Sequence, residues 1–151
     1  MSQEATVTEI RTYFKDQRKS VLTLLGYSAA EYEDKAALIA RATEILDRLD
    51  PKTTIVNIGA TTDGIGVVYE LAKQKGFTTS GIVTTQAREA KATISPCVDI
   101  VFFVKDASWG GFVKGTENLS PTSAALVEVS DRLVAIGGGE VTRDELVAAT
   151  R

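Results

Sequence analysis

The sequence predicts an α/β fold, a doubly wound parallel sheet of about five strands with helices on both faces. Two observations predict it. Short apolar runs alternate with amphipathic helical segments along most of the chain. The runs are apolar at consecutive positions, which is typical of strands buried on both faces of a parallel sheet. Right-handed crossovers between such strands then give the doubly wound arrangement.

The N-terminal segment is predicted as an amphipathic helix over residues 3–17. Its apolar side chains recur at helical spacing: Val7, Ile10, Tyr13 and Phe14. Because this helix falls outside the alternating pattern, we assign residues 1–19 to an N-terminal helix and residues 20–151 to a single domain. We expect the helix to pack against that domain or against a partner chain.

The first two strands are predicted over residues 20–26 and 53–59, where apolar and β-branched runs each end at a glycine. The helix between them, residues 29–49, has one apolar face. An Asp-Pro pair ends that helix, since the residue before proline avoids helical geometry. The next helix, residues 64–75, stops at Gly76.

The remaining elements continue the alternation. Strands are predicted over three apolar runs: residues 78–84, 98–105 and 132–136. Helices are predicted over two segments: residues 122–129 and 142–151. Loops are predicted over residues 85–97, which include a proline, and over the glycine-rich residues 106–121.

Composition argues against several kinds of site. The 151 residues include no histidine, which removes histidine-based acid–base catalysis, Ser-His triads and histidine metal ligands. Cys97 is the single cysteine, so an internal disulfide is excluded and a zinc site is not expected. We therefore predict no metal site.

Charge and hydropathy limit the kinds of partner that we expect for this chain. The net charge of −3 gives no electrostatic footprint for nucleic acid. The apolar runs are far shorter than the ~20 residues that span a bilayer, and the polar N-terminal segment, with Glu4 and Glu9, is unlike a secretory signal. A lone cysteine fits a reducing compartment. We expect a cytoplasmic protein that binds neither nucleic acid nor membranes.

The carboxyl ends of the strands are the informative positions, because ligands of doubly wound folds bind there. In the run VAIGGGEVTRDEL, three glycines at residues 137–139 separate a strand from a helix. Glycine lets a ligand approach the backbone, and the free N–H groups of a helix start favour an anion. Thr142 as N-cap and Glu145 three residues later predict a capping box. The alternative is a sharp turn and a capped helix without a ligand.

A second glycine-rich loop, GATTDGIG over residues 59–66, also joins a strand to a helix. It is neither a Walker A loop nor a dinucleotide fingerprint, because the required spacings are absent. Thr61 and Thr62 could donate hydroxyls to a phosphate or could cap the helix, and the sequence favours neither. Two such loops at one sheet edge favour an anion site more than either loop alone.

The loop after the fourth strand holds two further candidates. Trp109 could stack on a nucleobase or close the site, or it could pack on the surface as part of the loop. Asp106 could bind a ribose hydroxyl or a substrate amine, although such a residue more often forms a turn. Cys97 is interpreted as a small core residue, and Tyr69 as a residue that covers core or interface.

Together, LLGYS, the loop before GIGVVYELAKQKG, the GIV of the third strand and GGEVTRDEL resemble the Rossmann-like proteins once described as possible lysine decarboxylases. That family includes the cytokinin-activating lonely-guy phosphoribohydrolases and related nucleotide-sensing domains. The resemblance covers roughly residues 20–151. Four residues fall on the family signature P-G-G-x-G-T-x-x-E: Gly138, Gly139, Thr142 and Glu145.

The resemblance implies a Rossmann-like nucleotide-binding domain in which this loop binds the nucleotide phosphate and the glutamate takes part in N-glycosidic cleavage. It also implies a dimer. Gly137 replaces the signature proline, and Val141 replaces its third glycine. The family's Arg-Lys pair, whose arginine is catalytic, is replaced by PTSAA at residues 121–125, and Lys114 is the only base in the preceding loop.

Two functions stay open. The first is binding of a nucleotide or sugar phosphate by a non-catalytic or sensory domain. The alternative is a phosphoribohydrolase-like N-glycosidase that acts on a nucleoside monophosphate, with Glu145 as its catalytic residue. No cofactor is predicted beyond such a ligand, and the expected partner is a second copy, in a homodimer or higher homo-oligomer. The predicted ligand-binding residues are Gly26, Ser28, Gly59, Ala60, Thr61, Thr62, Gly64, Trp109, Gly137, Gly138, Gly139 and Thr142.

Overall fold

The structure, a computed structural model, describes residues 1–27 and 31–151. These residues form one six-stranded sheet in which all neighbouring strands are parallel. In chain order the strands are β1 (Ser2–Glu4), β2 (Ser20–Gly26), β3 (Thr54–Ile58), β4 (Thr78–Thr84), β5 (Ile100–Val104) and β6 (Arg132–Ile136). Their order across the sheet is β1-β5-β4-β3-β2-β6.

Six α-helices connect or flank these strands within the described residues. They are α1 (Val7–Gln17), α2 (Lys35–Leu46), α3 (Val68–Gln74), α4 (Thr85–Glu89), α5 (Pro121–Val129) and α6 (Glu140–Ala149). A 3-10 turn, Gly64–Val67, precedes α3. The predicted α/β fold with a doubly wound parallel sheet is confirmed.

Each face of the sheet has its own core. Side chains of α1 and α5, such as Ile10 and Leu126, pack with Ile55 and Phe102 on one face. On the other face, α2 and α3 pack with Leu22, Leu24, Val56 and Ile58. Ile10 is fully buried, so α1 shares the core of the sheet. None of the described helices combines the length and the apolar character that crossing a membrane requires.

The sequence prediction missed strand β1, and the N-terminal helix begins at Val7 rather than at residue 3. The Thr6 hydroxyl accepts a hydrogen bond from the Glu9 backbone N–H at 3.1 Å, and the Glu9 carboxylate accepts one from the Thr6 N–H at 3.0 Å. This capping box fixes the helix start. The residues before it extend along β5 and form the edge of the sheet.

Helices α2 and α4 also differ from the prediction. Helix α2 begins at Lys35 instead of residue 29, because the side chain of Asp34 caps it by accepting from the Ala37 N–H at 2.9 Å. The stretch 85–97, predicted as a loop, starts with the short helix α4, whose N-cap is Thr84. Both helix starts follow side-chain caps rather than the apolar periodicity.

Candidate functional site

A cleft of about 410 Å³ opens at the carboxyl ends of the central strands. Strand β6 lies on one side of β2, whereas β3, β4 and β5 lie on the other, so the strand order reverses beside β2. Ligands of doubly wound folds bind at such a reversal point. The ends of β2, β3 and β4, the first turns of α5 and α6, and the loop after β5 all contribute side chains to the wall.

The cleft brings together seven of the sequence-predicted site residues. These are Gly26, Gly59, Thr61, Trp109, Gly139, Thr142 and Glu145. Five others lie in the same loops but do not line the cleft: Ala60, Thr62, Gly64, Gly137 and Gly138. Ser28 lies outside the described residues.

The triple-glycine turn depends on backbone geometry that favours glycine. Gly137 and Gly138 have φ of 69° and 112°, in the region that side chains disfavour. A Cβ on Gly138 would lie 2.5 Å from Thr142 Oγ1. Gly139 differs, because a Cβ there would meet no atom of the described residues within 4 Å. The first two glycines therefore make the turn, and the third leaves the backbone open toward the cleft.

The predicted capping box at Thr142 and Glu145 is wrong. Helix α6 begins at Glu140 with Gly139 as its N-cap, and no side chain of the described residues caps it. Thr142 is thus the third residue of the helix, and Glu145 points to α5 instead of to the helix start. The backbone turns two residues earlier than a threonine cap requires. In the described part of the chain, the N–H groups of the first turn of α6 therefore have no capping side chain.

Glu145 is the buried carboxyl of the cleft, with 6% of its surface exposed. The Ser123 hydroxyl donates to its Oε2 at 2.7 Å, while the backbone N–H of Gly111 donates to Ser123 Oγ at 2.7 Å. Burial is the main cause that raises the pKa of Glu145 to about 7; the Ser123 hydrogen bond opposes this rise in part, and the nearby Asp144 adds to it. This carboxyl can therefore take up or release a proton near neutral pH.

The loop after β5 is held by two more buried carboxylates. Asp106 accepts from the backbone and hydroxyl of Ser108, at 2.8 and 2.7 Å, and from those of Thr122, at 3.1 and 2.7 Å. Asp144 Oδ2 accepts from the backbone N–H of Phe112 at 3.0 Å. Asp106 therefore forms a turn, the second of its two predicted roles. Trp109, in the same loop, is 59% exposed and lines the cleft.

The loop after β3 is shaped by Tyr69, a fully buried residue of α3. Its hydroxyl accepts from the N–H groups of Ile58 and Ala60, at 3.1 and 3.0 Å, and donates to the carbonyl oxygen of Ser80 at 2.6 Å. These bonds hold Ala60 at a φ of 72°. The adjacent Gly59 faces open space, since a Cβ there would meet nothing within 4 Å.

The two threonines of this loop do not cap the following turn. The N-cap of the 3-10 turn is Asp63, and no side chain that the structure describes caps the turn. The backbone N–H of Thr62 donates to the carbonyl oxygen of Thr93 at 3.1 Å, while Thr61 lines the cleft. Of the two predicted roles, capping is therefore wrong, and contact of Thr61 with a ligand stays a prediction.

Sequence reasoning missed several residues of the wall, among them Tyr27, Ser123 and Glu140. Tyr27 directly follows the predicted strand end and could have been found from that position. Ser123 carried no signal, because it lies in an ordinary helical stretch. No lysine or arginine is among the residues that line the cleft in the described part of the chain. Arg143 is nearby, but it faces Glu140 at 3.7 Å and Asp144 at 3.4 Å.

Comparison with solved structures supports the fold. The molybdenum cofactor carrier protein of Chlamydomonas reinhardtii matches with a TM-score of 0.60 and 24% identity, over 88% of this chain and 71% of that chain. A second structure of that carrier gives a TM-score of 0.59. A structural-genomics target, TM1055, matches with a TM-score of 0.61 and 21% identity, over 86% of this chain and 68% of that chain.

These likenesses show a shared Rossmann-like α/β fold, which is the fold that the sequence resemblance implied. No protein-family model matches the sequence, and the curated proteins include no match.

Proposed function

We propose that the cleft binds a small phosphate-bearing ligand, a nucleotide or a sugar phosphate, and that the chain is a non-catalytic or sensory binding domain. The observation that carries this proposal is the open start of α6. Gly139 is its N-cap and lines the cleft, and within residues 1–27 and 31–151 no side chain caps the helix and no atom lies within 4 Å of a Cβ placed on Gly139. Such groups, aligned with the helix dipole, are suited to a phosphate.

The rest of the wall suits the remainder of such a ligand. Hydroxyls of Thr61 and Thr142 are available for a phosphate or sugar, and the exposed rings of Tyr27 and Trp109 offer faces for a heteroaromatic ring. Gly59, on the β3 side, also faces open space. The ligand would thus lie between the two glycine-rich loops.

The charged groups of the cleft wall do not suit cleavage of a nucleotide. Among the described residues that line the cleft, the charged groups are Glu140 and Glu145, and no cation accompanies them. Hydrolysis of a nucleotide needs stabilisation of developing charge, which arginine or lysine commonly supplies. A phosphate held by backbone N–H groups alone can be bound without that help.

We also infer that the chain is a divergent member of the lysine decarboxylase-like and lonely-guy family. The signature residues Gly138, Gly139, Thr142 and Glu145 lie at one strand end, and solved structures that share the Rossmann-like fold include a protein described as a cofactor carrier. A cytoplasmic location and a homodimer or higher homo-oligomer are part of the same proposal.

A panel of ligands tests the binding proposal. Thermal unfolding is measured with nucleoside monophosphates, sugar phosphates, inorganic phosphate and the matching nucleosides without phosphate. A ligand at 100 times its Kd adds about 2.7 kcal/mol to the free energy of unfolding. We expect stabilisation by at least one phosphate-bearing compound and none by its phosphate-free counterpart. Stabilisation by none of the phosphate compounds would contradict the proposal.

One observation favours the alternative, an N-glycosidase acting on a nucleoside monophosphate. The pKa of Glu145, raised to about 7 by burial, suits a general acid. Incubation of the protein with nucleoside monophosphates, followed by chromatography of free bases, distinguishes the two functions. Base release that Glu145→Gln abolishes would replace the binding-only proposal. Binding of a nucleoside monophosphate without release of its base would support the binding-only proposal.

A further inference from the structure

A chain of hydrogen bonds runs from the cleft to the loop that carries Trp109. The Gly111 backbone N–H donates to Ser123 Oγ, and the Ser123 hydroxyl donates to Glu145 Oε2, each at 2.7 Å. Ser123 is 1% exposed and Glu145 is 6% exposed. The serine hydroxyl has one proton, and it is directed to the carboxyl because the Gly111 N–H already acts as donor to the same oxygen.

The backbone of the Trp109 loop approaches Ser123 and Asp144 closely because residues 110 and 111 are both glycine. A Cβ on Gly110 would lie 2.9 Å from Ser123 Oγ, and a Cβ on Gly111 would lie 2.9 Å from Asp144 Oδ2. Both residues have positive φ, 113° and 80°. The sequence Trp-Gly-Gly thus places the tryptophan two residues from the contact with Ser123.

Oε2 of Glu145 is taken by Ser123, whereas Oε1 has no hydrogen-bond partner among the described residues. The cleft wall includes both residues. On α5, where the resembled family carries its basic pair, this chain offers a hydroxyl instead of a charge. Asp144 is the charged neighbour that acts on Glu145 from its own helix. The loop contributes only the Gly111 N–H to this chain of bonds.

We infer that Ser123 is a positioning residue, which orients the carboxyl of Glu145 with one oxygen free for the cleft and couples that carboxyl to the Trp109 loop. Contact of that free carboxyl oxygen with a ligand rests on the proposed function. The orientation and the coupling exist without a ligand, so they are measured on the free protein. Failure of these measurements is therefore distinct from failure of ligand binding.

The first measurement is the titration of the Glu145 carboxyl by carbon-13 NMR in wild type, Ser123→Ala and Ser120→Ala. A hydrogen bond to a carboxylate lowers its pKa, so loss of that bond in Ser123→Ala is expected to raise the Glu145 midpoint above that of wild type. Ser120 is the matched control, because it is the N-cap of the same helix and its hydroxyl is buried without a partner among the described residues. Ser120→Ala is expected to keep the wild-type midpoint. An unchanged or lower midpoint in Ser123→Ala would overturn the orienting role.

The second measurement uses the fluorescence of Trp109, the single tryptophan of the chain. Its emission is expected to titrate with the Glu145 midpoint in wild type and in Ser120→Ala, and to lose that titration in Ser123→Ala. Glu145→Gln provides an independent test if Ser123→Ala does not fold, because it removes the titrating group. A titration near neutral pH that persists in either Ser123→Ala or Glu145→Gln would overturn the coupling to the loop.

Discussion

The hydroxyl of Tyr69 donates to the carbonyl oxygen of Ser80 across 2.6 Å, in the interior between α3 and the sheet. The same hydroxyl accepts two backbone N–H groups at the end of β3, from Ile58 and Ala60. One side chain thus satisfies three buried backbone groups and fixes the first glycine-rich loop of the cleft. The geometry of that loop is a product of tertiary packing.

Tyr69→Phe is expected to lower the free energy of unfolding by about 1–3 kcal/mol, because the buried backbone groups lose their partner and water cannot replace it. Denaturant unfolding measures the change. Tyr13→Phe is the matched control, since Tyr13 is partly buried and its hydroxyl forms no hydrogen bond among the described residues. Equal effects of the two substitutions would contradict the role of Tyr69.

Gly138→Ala is expected to destabilise the protein by about 1–3 kcal/mol. The new Cβ would lie 2.5 Å from Thr142 Oγ1, at a φ of 112° that alanine rarely adopts. Thermal or denaturant unfolding provides the measurement. A variant as stable as wild type would show that the turn has a geometry different from the one described.

Asp106→Ala is expected to release the loop after β5. The four hydrogen bonds that Asp106 accepts from Ser108 and Thr122 are lost. Limited proteolysis is expected to cut residues 106–120 faster than in wild type.

Although burial raises the pKa of Asp106, the hydrogen bonds from Thr122 and Ser108 outweigh the effect of burial and lower that pKa. Its stabilising contribution is therefore present above the unfolded-state pKa and is lost as pH falls through the folded-state value.

Glu145→Gln is expected to remove a pH dependence of the opposite sign. The pKa of Glu145 is raised in the folded protein from 4.5 to about 7, so the folded state binds a proton that the unfolded state has released. Stability from this group is full below pH 4.5 and is lost as pH rises through about 7. At pH 8 the variant should be more stable than wild type by about 3 kcal/mol, and at pH 4 it should not. Unfolding curves of both proteins at the two pH values test this prediction. If the free energies of unfolding of the variant and wild type differ by the same amount at both pH values, the prediction is contradicted.

Much of the fold followed from the sequence because apolar runs mark buried strands. The run at residues 132–136 coincides with β6, and the run at 78–84 coincides with β4. Strand β1 carried no such mark. Its three residues are exposed and join the sheet through backbone pairing with β5, so no hydrophobic pattern could reveal it.

The site was predictable in position but not in detail. The glycine runs located both loops, since glycine is needed where φ is positive, as at Gly137 and Gly138. The capping box at Thr142 was wrong, because the choice of N-cap depends on where the backbone turns after β6. Ser123 and Glu145, which lie on different helices, are 22 residues apart in the sequence. Local sequence patterns do not reveal a contact over that separation.

The most direct test of the central claim is phosphate binding by Gly139→Ser. A serine N-cap accepts a hydrogen bond from the first turn of α6 and so occupies N–H groups that the proposal assigns to a phosphate. The position has room for the side chain, since a Cβ there would meet nothing within 4 Å. Isothermal titration is performed with the phosphate ligand found in the panel. The proposal predicts a variant at least as stable as wild type whose affinity falls about tenfold or more. Unchanged affinity in a correctly folded Gly139→Ser variant would contradict a phosphate site at the start of α6.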